Sequence, residues 1–249
     1  MIGLRAPAKL TWNLEITGRR ENGYHELRSE MSTIDLVDTL VVDESADYVR
    51  VANPTSAVPS DETNLVARAL KLVHRTAGVV IEKSIPVGGG LGGGSADAAA
   101  ILRWAGGVSA DEALTLGGDV PFCQVGGRAL VEGVGEIVTP LPFESRAVTL
   151  IMPAFGVSTA DCYRTFDELR AGGWQPQGRN HLEVPAGVVE PRLSSTLEWL
   201  RARWGPDVQL AGSGSTMFVE GHVDDGPHAW DVEGPAGTLR FYQTTTTPK

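Results

Sequence analysis

Cysteine is nearly absent from this chain of 249 residues. The two present, Cys123 and Cys162, lie far apart, in neither a metal-ligand nor a redox spacing. A disulfide framework is excluded, and a reducing compartment, the cytoplasm, is expected. Long apolar runs are missing as well. The opening MIGLRAPAKLTW has no signal-peptide apolar region, so no membrane role is expected. Basic residues are in deficit: 21 Lys and Arg against 31 Asp and Glu give a formal charge of -10. A nucleic-acid backbone wants a basic face, so that partner is disfavoured. An anionic small molecule stays allowed, because a pocket can be locally positive on an acidic protein. Aromatics are few at 6%, yet hydrophobic residues reach 42%, enough at this length for one large core or two ordinary ones. No internal repeat is visible.

Glycine is what the chain has in excess, with 30 residues, well above the usual share of about 7%. Strict alternation opens the chain: Lys9, Thr11, Asn13 and Glu15 fall on one strand face, Leu10, Trp12, Leu14 and Ile16 on the other. Asn22-Gly23 predicts a hairpin turn. Two further strands are expected, 31–36 and 39–42, then a helix over 64–75 and a short strand over 79–82. Helices are expected over 96–105 and 111–116, and a strand pair over 128–131 and 136–139. Near Pro140 the composition shifts and a fresh buried strand, 147–152, begins. Two domains follow from that shift, 1–143 and 144–249. Beyond it, Ser158 and Asp161 signal a helix start, and Leu193, Leu197, Leu200 and Trp204 stripe another helix. Strands at 208–210 and 216–219 flank a second glycine-serine loop. From Gly221 the chain is polar, broken by Gly and Pro, and yields no element. The irregular order of strands and helices predicts an α+β fold.

Between the strand at 79–82 and the alanine-rich helix stand Pro86, Val87, Gly88, Gly89, Gly90, Leu91, Gly92, Gly93, Gly94 and Ser95. Glycines let successive backbone N–H groups converge, since positive φ carries no Cβ penalty. The helix N-terminus adds partial positive charge, and Ser95 is placed to cap it. Together these predict a site for a di- or triphosphate, where a Cβ at Gly92 would crowd the anion. Two other phosphate loops fail on context. Gly88-x-Gly90-x-x-Gly93 matches the dinucleotide fingerprint, but the acids about twenty residues on, Asp111 and Glu112, start a helix rather than end a strand. A Walker A loop needs lysine before the Ser, and Gly94 stands there.

The loop resembles the phosphate loop of the GHMP kinase superfamily, Pro-x-Gly-x-Gly-Leu-Gly-x-(Gly/Ser)-Ser. Pro7-Ala8-Lys9 and Ala211-Gly212-Ser213-Gly214-Ser215 resemble its two other motifs, in the same order. Further blocks, Gly23-Tyr24-His25-Glu26-Leu27, Leu116 to Phe122 and Glu132 to Glu136, are similar to the 4-diphosphocytidyl-2-C-methyl-D-erythritol kinase family. The resemblance covers most of residues 5 to 219. It implies a two-domain GHMP kinase fold: an N-terminal domain like ribosomal protein S5 and a C-terminal ferredoxin-like α/β sandwich, here with a shortened C-terminus. It further implies phosphoryl transfer from ATP, with Mg²⁺, to a hydroxyl of a cytidine-diphosphate-linked polyol in non-mevalonate isoprenoid synthesis. Lys9 and Asp119 correspond to the catalytic pair. Pro86 through Ser95, with Ala96 and Asn64, correspond to the ATP site. Thr11, Tyr24, His25, Tyr163, Gly212 and Ser213 fall in the substrate region, Tyr24 to stack on the base and His25 to pair with its edge. No residue is marked as a metal ligand. A monomer or homodimer is expected, with small molecules as its only other partners.

The residues alone leave alternatives open. Asp119 before Val120-Pro121 is also a helix N-cap, Lys9 a solvated strand lysine, His25 a surface residue and Tyr163 a core residue. Thr11 stands where the family has asparagine; Asn13, on the same face, is placed to make up the lost amide. The stretch from Ser95 to Asp119 is short for the family. Mevalonate-type and homoserine-type kinases are the rivals within the superfamily, although the Gly-Tyr-His block has no counterpart there. A nucleotide-binding paralogue with weak catalysis is the rival from another class.

Overall fold

The computed structural model describes residues 1–52, 59, 61–223 and 228–248. In its first half, chain order is β1 (Ile2–Thr11), β2 (Glu15–Arg19), β3 (His25–Asp43), β4 (Tyr48–Val51), α1 (Leu65–Leu72), β5 (Gly78–Glu82) and α2 (Gly93–Trp104). Then come α3 (Ala110–Leu114), α4 (Val120–Val125), β6 (Arg128–Gly133) and β7 (Ile137–Pro140). The second half runs β8 (Ala147–Pro153), α5 (Thr159–Ala171), α6 (Glu183–Val189), α7 (Pro191–Trp204), β9 (Gln209–Leu210), β10 (Met217–Glu220), β11 (Ala229–Gly234) and β12 (Gly237–Thr245). The architecture is α+β.

One strand organises the first sheet. β3 is 19 residues long and pairs antiparallel with β1, β2, β5 and β6; β4 and β7 close the edges. The two strands expected at 31–36 and 39–42 are parts of this single strand. Asp38, which divides their apolar runs in sequence, is fully buried and paired with Lys83, so the polar residue marks no break. The opening strand, by contrast, is shorter than its alternation suggests. β1 ends at Thr11, and Leu14 turns away to bridge Asn180 in the second half. Against β1 packs α2, whose Ala98, Ala99, Ile101 and Leu102 are buried; alanines let helix and strand approach closely. Each buried Leu or Ile there contributes roughly 1.5–3 kcal/mol.

The second sheet has the order β11-β12-β8-β10-β9 and is antiparallel throughout. The stretch after Gly221, read from sequence as yielding no element, supplies β11 and β12, and β12 lies beside β8 inside the sheet. Alternation is present there: Leu239, Phe241 and Gln243 point inward, between exposed Thr238 and Arg240. Glycine and proline around it masked a period of two. Helix α6 was not expected, and α4 starts where the N-cap alternative for Asp119 placed a helix. Pro121 and Pro185 stand in first turns, where a missing N–H leaves no helix bond unmade. The two sheets share a core at Trp12, whose ring meets Phe218 edge-on at 5.5 Å.

Phe241 is fully buried, stacked on Trp230 at 5.2 Å and against Trp204 at 5.2 Å. Phe241→Ala is expected to lose about 3–5 kcal/mol of stability, read as a lower denaturant midpoint. A midpoint near wild type would mean that the tail strands do not belong to the core.

Candidate active site

The glycine loop leaves β5 and ends at Gly92, which is the N-cap of α2 with φ 69° and no side-chain cap. The helix therefore begins at Gly93, and Ser95 lies inside its first turn rather than capping it. Gly88, Gly90 and Gly92 have φ of 71°, 76° and 69°, each alternating with a residue of ordinary φ. Such alternation curls the backbone into a concave nest of N–H groups at an uncapped helix N-terminus. The loop is pinned from outside: Ser215 N–H and Thr216 N–H donate to Gly88 O and Gly89 O, at 3.3 and 3.1 Å. A Cβ at Gly90 would fall against Ala211 O and 2.8 Å from Gly214 O, so the two glycine loops touch because neither has side chains there. Pro86, Val87, Gly88, Gly89, Gly90, Gly92, Gly93, Gly94 and Ser95 line a cavity of about 330 Å³ with Asn64 and Asp119. Leu91 and Ala96 are buried behind it. Asn64 caps α1, accepting from Val66 N–H at 2.8 Å.

Lys9 is not a solvated strand lysine: it is only 5% exposed. The β1–β3 register shifts between Pro7 and Lys9, and Lys9 N–H donates to Leu91 O at 3.0 Å instead of to β3. A bulge of this kind re-aims a side chain. The amine donates to Thr11 Oγ1 at 3.0 Å and lies 3.4 Å from Asp119 Oδ2. Asp119 stands at the N-cap position of α4, yet its side chain makes no capping bond. Thr11 and Gly212 lie beside the lysine rather than on a cavity wall, and a Cβ at Gly212 would come 3.5 Å from Lys9 Nζ. Ser213 Oγ instead meets Thr159 Oγ1 at 2.8 Å. Asn13 does not replace the missing asparagine. Its Oδ1 accepts Glu30 N–H at 3.0 Å, and its carbonyl accepts the Ser29 hydroxyl at 2.6 Å.

Beneath the loop lies a buried charge cluster that the sequence reading missed. Lys83 Nζ pairs with Asp38 Oδ2 and, at 2.7 Å, with Asp97 Oδ2. Asp38 Oδ1 accepts the N–H groups of Ser84 at 2.5 Å and Ile85 at 2.8 Å, fixing the strand end that feeds the loop. Burial pushes the Asp97 carboxyl up to about 7; Lys83 opposes this and Asp38 adds to it. The lysine charge is thus spent on two carboxylates, leaving anion binding here to the backbone N–H groups and the helix end.

A second cavity, of about 1130 Å³, opens on the other side of Asp119. Its walls carry Arg19, Arg20, Arg68 and Arg164 beside Asp111, Asp119 and Asp167; Arg19 pairs with Asp167, Arg20 with Glu26 and Glu136, and Arg164 with Asp161. Tyr24 stands on its rim, 66% exposed, an open aromatic face. His25 stacks on Tyr163 with ring centroids 4.9 Å apart, and its Nε2 lies 2.7 Å from Asp167 Oδ1. Asp119 and Thr159 line both cavities. Thr159, Asp167 and Lys83 were missed because each comes from an element whose neighbours only folding decides. Cys123 lies nearby, but burial, with Asp119 adding to it, pushes its thiol up to about 12, which removes it as a nucleophile.

A glycine loop between β5 and α2, joined to a lysine–aspartate pair at the wall of two cavities, fits a small-molecule kinase of the GHMP class. Residues 64–127 match the model of the GHMP kinases N terminal domain. The chain is 36% identical to 4-diphosphocytidyl-2-C-methyl-D-erythritol kinase of Dechloromonas aromatica, over 86% of each chain. It is also 36% identical to the enzyme of that name from Bacillus cereus, over 90% of each. A crystal structure of 4-(cytidine 5'-diphospho)-2C-methyl-D-erythritol kinase superposes over the full length of both chains with a TM-score of 0.72 at 31% identity. The chain belongs to the 4-diphosphocytidyl-2-C-methyl-D-erythritol kinase family.

Two outcomes follow from this geometry. A Cβ at Gly92 would lie 2.8 Å from Lys9 Cγ and 3.7 Å from Asp119 Oδ2, so it meets the lysine before any anion. Gly92→Ala should therefore lower kcat, on the order of a hundredfold, more than it raises the KM for ATP; the reverse split would put the crowding at the phosphate. The second concerns pH. A folded carboxyl pKa raised above its unfolded value favours folding at low pH, and that contribution fades as pH rises from about 4 to about 7. Asp97→Asn should flatten this decline in unfolding free energy measured across that window; an unchanged slope would assign it elsewhere.

Proposed function

We propose that the chain transfers the γ-phosphoryl group of ATP to a hydroxyl of 4-diphosphocytidyl-2-C-methyl-D-erythritol, a step of non-mevalonate isoprenoid precursor synthesis. One observation carries the reading: Asp119 stands on the shared wall of the two cavities, one built from the glycine loop and the other lined by arginines and aromatic rings. A donor in the first and an acceptor in the second meet at that carboxylate. ATP phosphates are held by the N–H groups of Gly88 to Gly94 and the start of α2. The acceptor's diphosphate is drawn by the arginines, and its base by Tyr24, His25 and Tyr163.

A hydroxyl is a poor nucleophile. Asp119 accepts its proton or orients it for in-line attack, and the Lys9 ammonium, 3.4 Å from the carboxylate, offsets charge on the transferring group. Thr11 and Gly212 act by seating the lysine. Among the described residues no group of three His, Cys, Asp or Glu could hold a metal ion. Mg²⁺ escorting a nucleotide needs no such cage, because it takes one or two protein oxygens besides phosphates and waters; Asp119 and Ser95 on the cavity wall fit that role. When bound, the ion supplies neutralisation of the phosphate oxygens. The division into 1–143 and 144–249 is supported by the change of sheet between β7 and β8. A cytoplasmic location fits two buried free cysteines and, among the described residues, no helix long and apolar enough to cross a membrane.

The test is ATP consumption with 4-diphosphocytidyl methylerythritol, mevalonate and homoserine offered separately; turnover is expected with the first alone. Asp119→Asn should lower kcat by about a hundredfold or more. The KM for ATP should stay near normal; no capping bond is lost, but Lys9 loses its counter-charge, so part of the stability goes with it. Lys9→Met should lower kcat too, and the double variant should lose less than the two single losses combined. Wild-type turnover in Asp119→Asn would end this assignment.

A further inference from the structure

We infer that Asp167 sets the base specificity of the second cavity by fixing which nitrogen of His25 carries the proton, an inference that rests on reading that cavity as the cytidine site. His25 comes from the β2–β3 hairpin in the first half of the chain, and α5 in the second half receives it. Tyr163, Phe166 and Asp167, spaced three and four along α5, share one helix face. Tyr163 stacks on the imidazole at 24° between planes, and Phe166 meets it edge-on with centroids 5.8 Å apart. The ring is thus held on its face and side before any ligand arrives.

Its edge is held as well. Asp167 Oδ1 lies 2.7 Å from Nε2, and Arg19 Nη1 lies 3.3 Å from the other carboxylate oxygen. A carboxylate can only accept, so Nε2 must donate. In a neutral imidazole that leaves the lone pair on Nδ1. The His25 side chain is 9% exposed and on the cavity wall, and among the described residues its Nδ1 has no partner. A lone pair that faces the cavity is paired only by a ligand that brings an N–H, so this nitrogen selects for one.

Cytosine presents an exocyclic amino group on its pairing edge, where uracil presents a carbonyl oxygen. The first satisfies Nδ1; the second sets lone pair against lone pair. Without Asp167 the ring is free to move its proton to Nδ1 and serve uracil equally. Asp167 is therefore a positioning residue: it acts on the base through His25.

The test measures dissociation constants of CDP and UDP, with the KM for ATP as control. Wild type should prefer CDP by about tenfold or more, the effect of one good hydrogen bond. In Asp167→Ala and in the isosteric Asp167→Asn the CDP/UDP ratio should fall toward one while the KM for ATP is unchanged, and Asp167→Glu should restore part of the preference. Ring ¹⁵N spectra of His25 in the wild-type protein with CDP read the tautomer without any substitution: protonated Nε2 with bare Nδ1 supports the inference, and a protonated Nδ1 overturns it. A wild type that prefers CDP beside variants that keep the ratio overturns the role of Asp167 alone. A wild type indifferent between CDP and UDP removes the cytidine reading, and this inference with it.

Discussion

The placement of one buried ammonium governs the arrangement of this molecule. Lys9 is withdrawn from water and tied at both ends, its backbone N–H to Leu91 O and its amine to Thr11 and Asp119. A buried cation without partners is expensive, so the elements supplying those partners must come together. They are β1 through Thr11 and the start of α4 through Asp119, while the glycine loop holds the backbone of the lysine through Leu91. Gly92 stands where a Cβ would press on the lysine, 2.8 Å from Cγ. A glycine that curls the loop also makes room for the Lys9–Asp119 pair, so loop and pair cannot vary independently.

The nucleotide cavity gains little from side-chain cations. Lys83, the basic residue on its wall, is paired with Asp38 and Asp97. Its work is mechanical: Asp38 on β3, the strand end at Ser84 and Ile85, and α2 through Asp97 are joined at one point, which holds both ends of the loop. Backbone dipoles at the start of α2 are then left to face the cavity. The second cavity carries four arginines on its wall, of which Arg19 is paired with Asp167, Arg20 with Glu26 and Glu136, and Arg164 with Asp161.

The halves of the chain are coupled at the two cavities. Thr159, at the start of α5, lines both of them and bonds Ser213, while His25 of the first half is seated on α5 of the second. Neither half alone builds the second cavity.

Local signals were read well from the sequence. The hairpin turn at Asn22-Gly23, the helix start at Ser158 and the glycine loop are properties of short segments, and the structure has them. The α+β class followed from element order. Readings that depended on context went astray: Asp38 divided a strand in sequence, Ser95 was set as a cap, Asn13 as a stand-in amide, and the alternating β12 was hidden among glycines. The sequence by itself determined which segments can bind phosphate and which residue types stand ready for phosphoryl transfer, because φ freedom, helix ends and motif spacing are local. Only the tertiary structure decided that Lys9 is buried, that Asp119 faces it instead of capping α4, and that Asp167 meets His25 across 142 residues. Those depend on burial and on long-range partners, and neither is a property of a segment until the chain has folded around it.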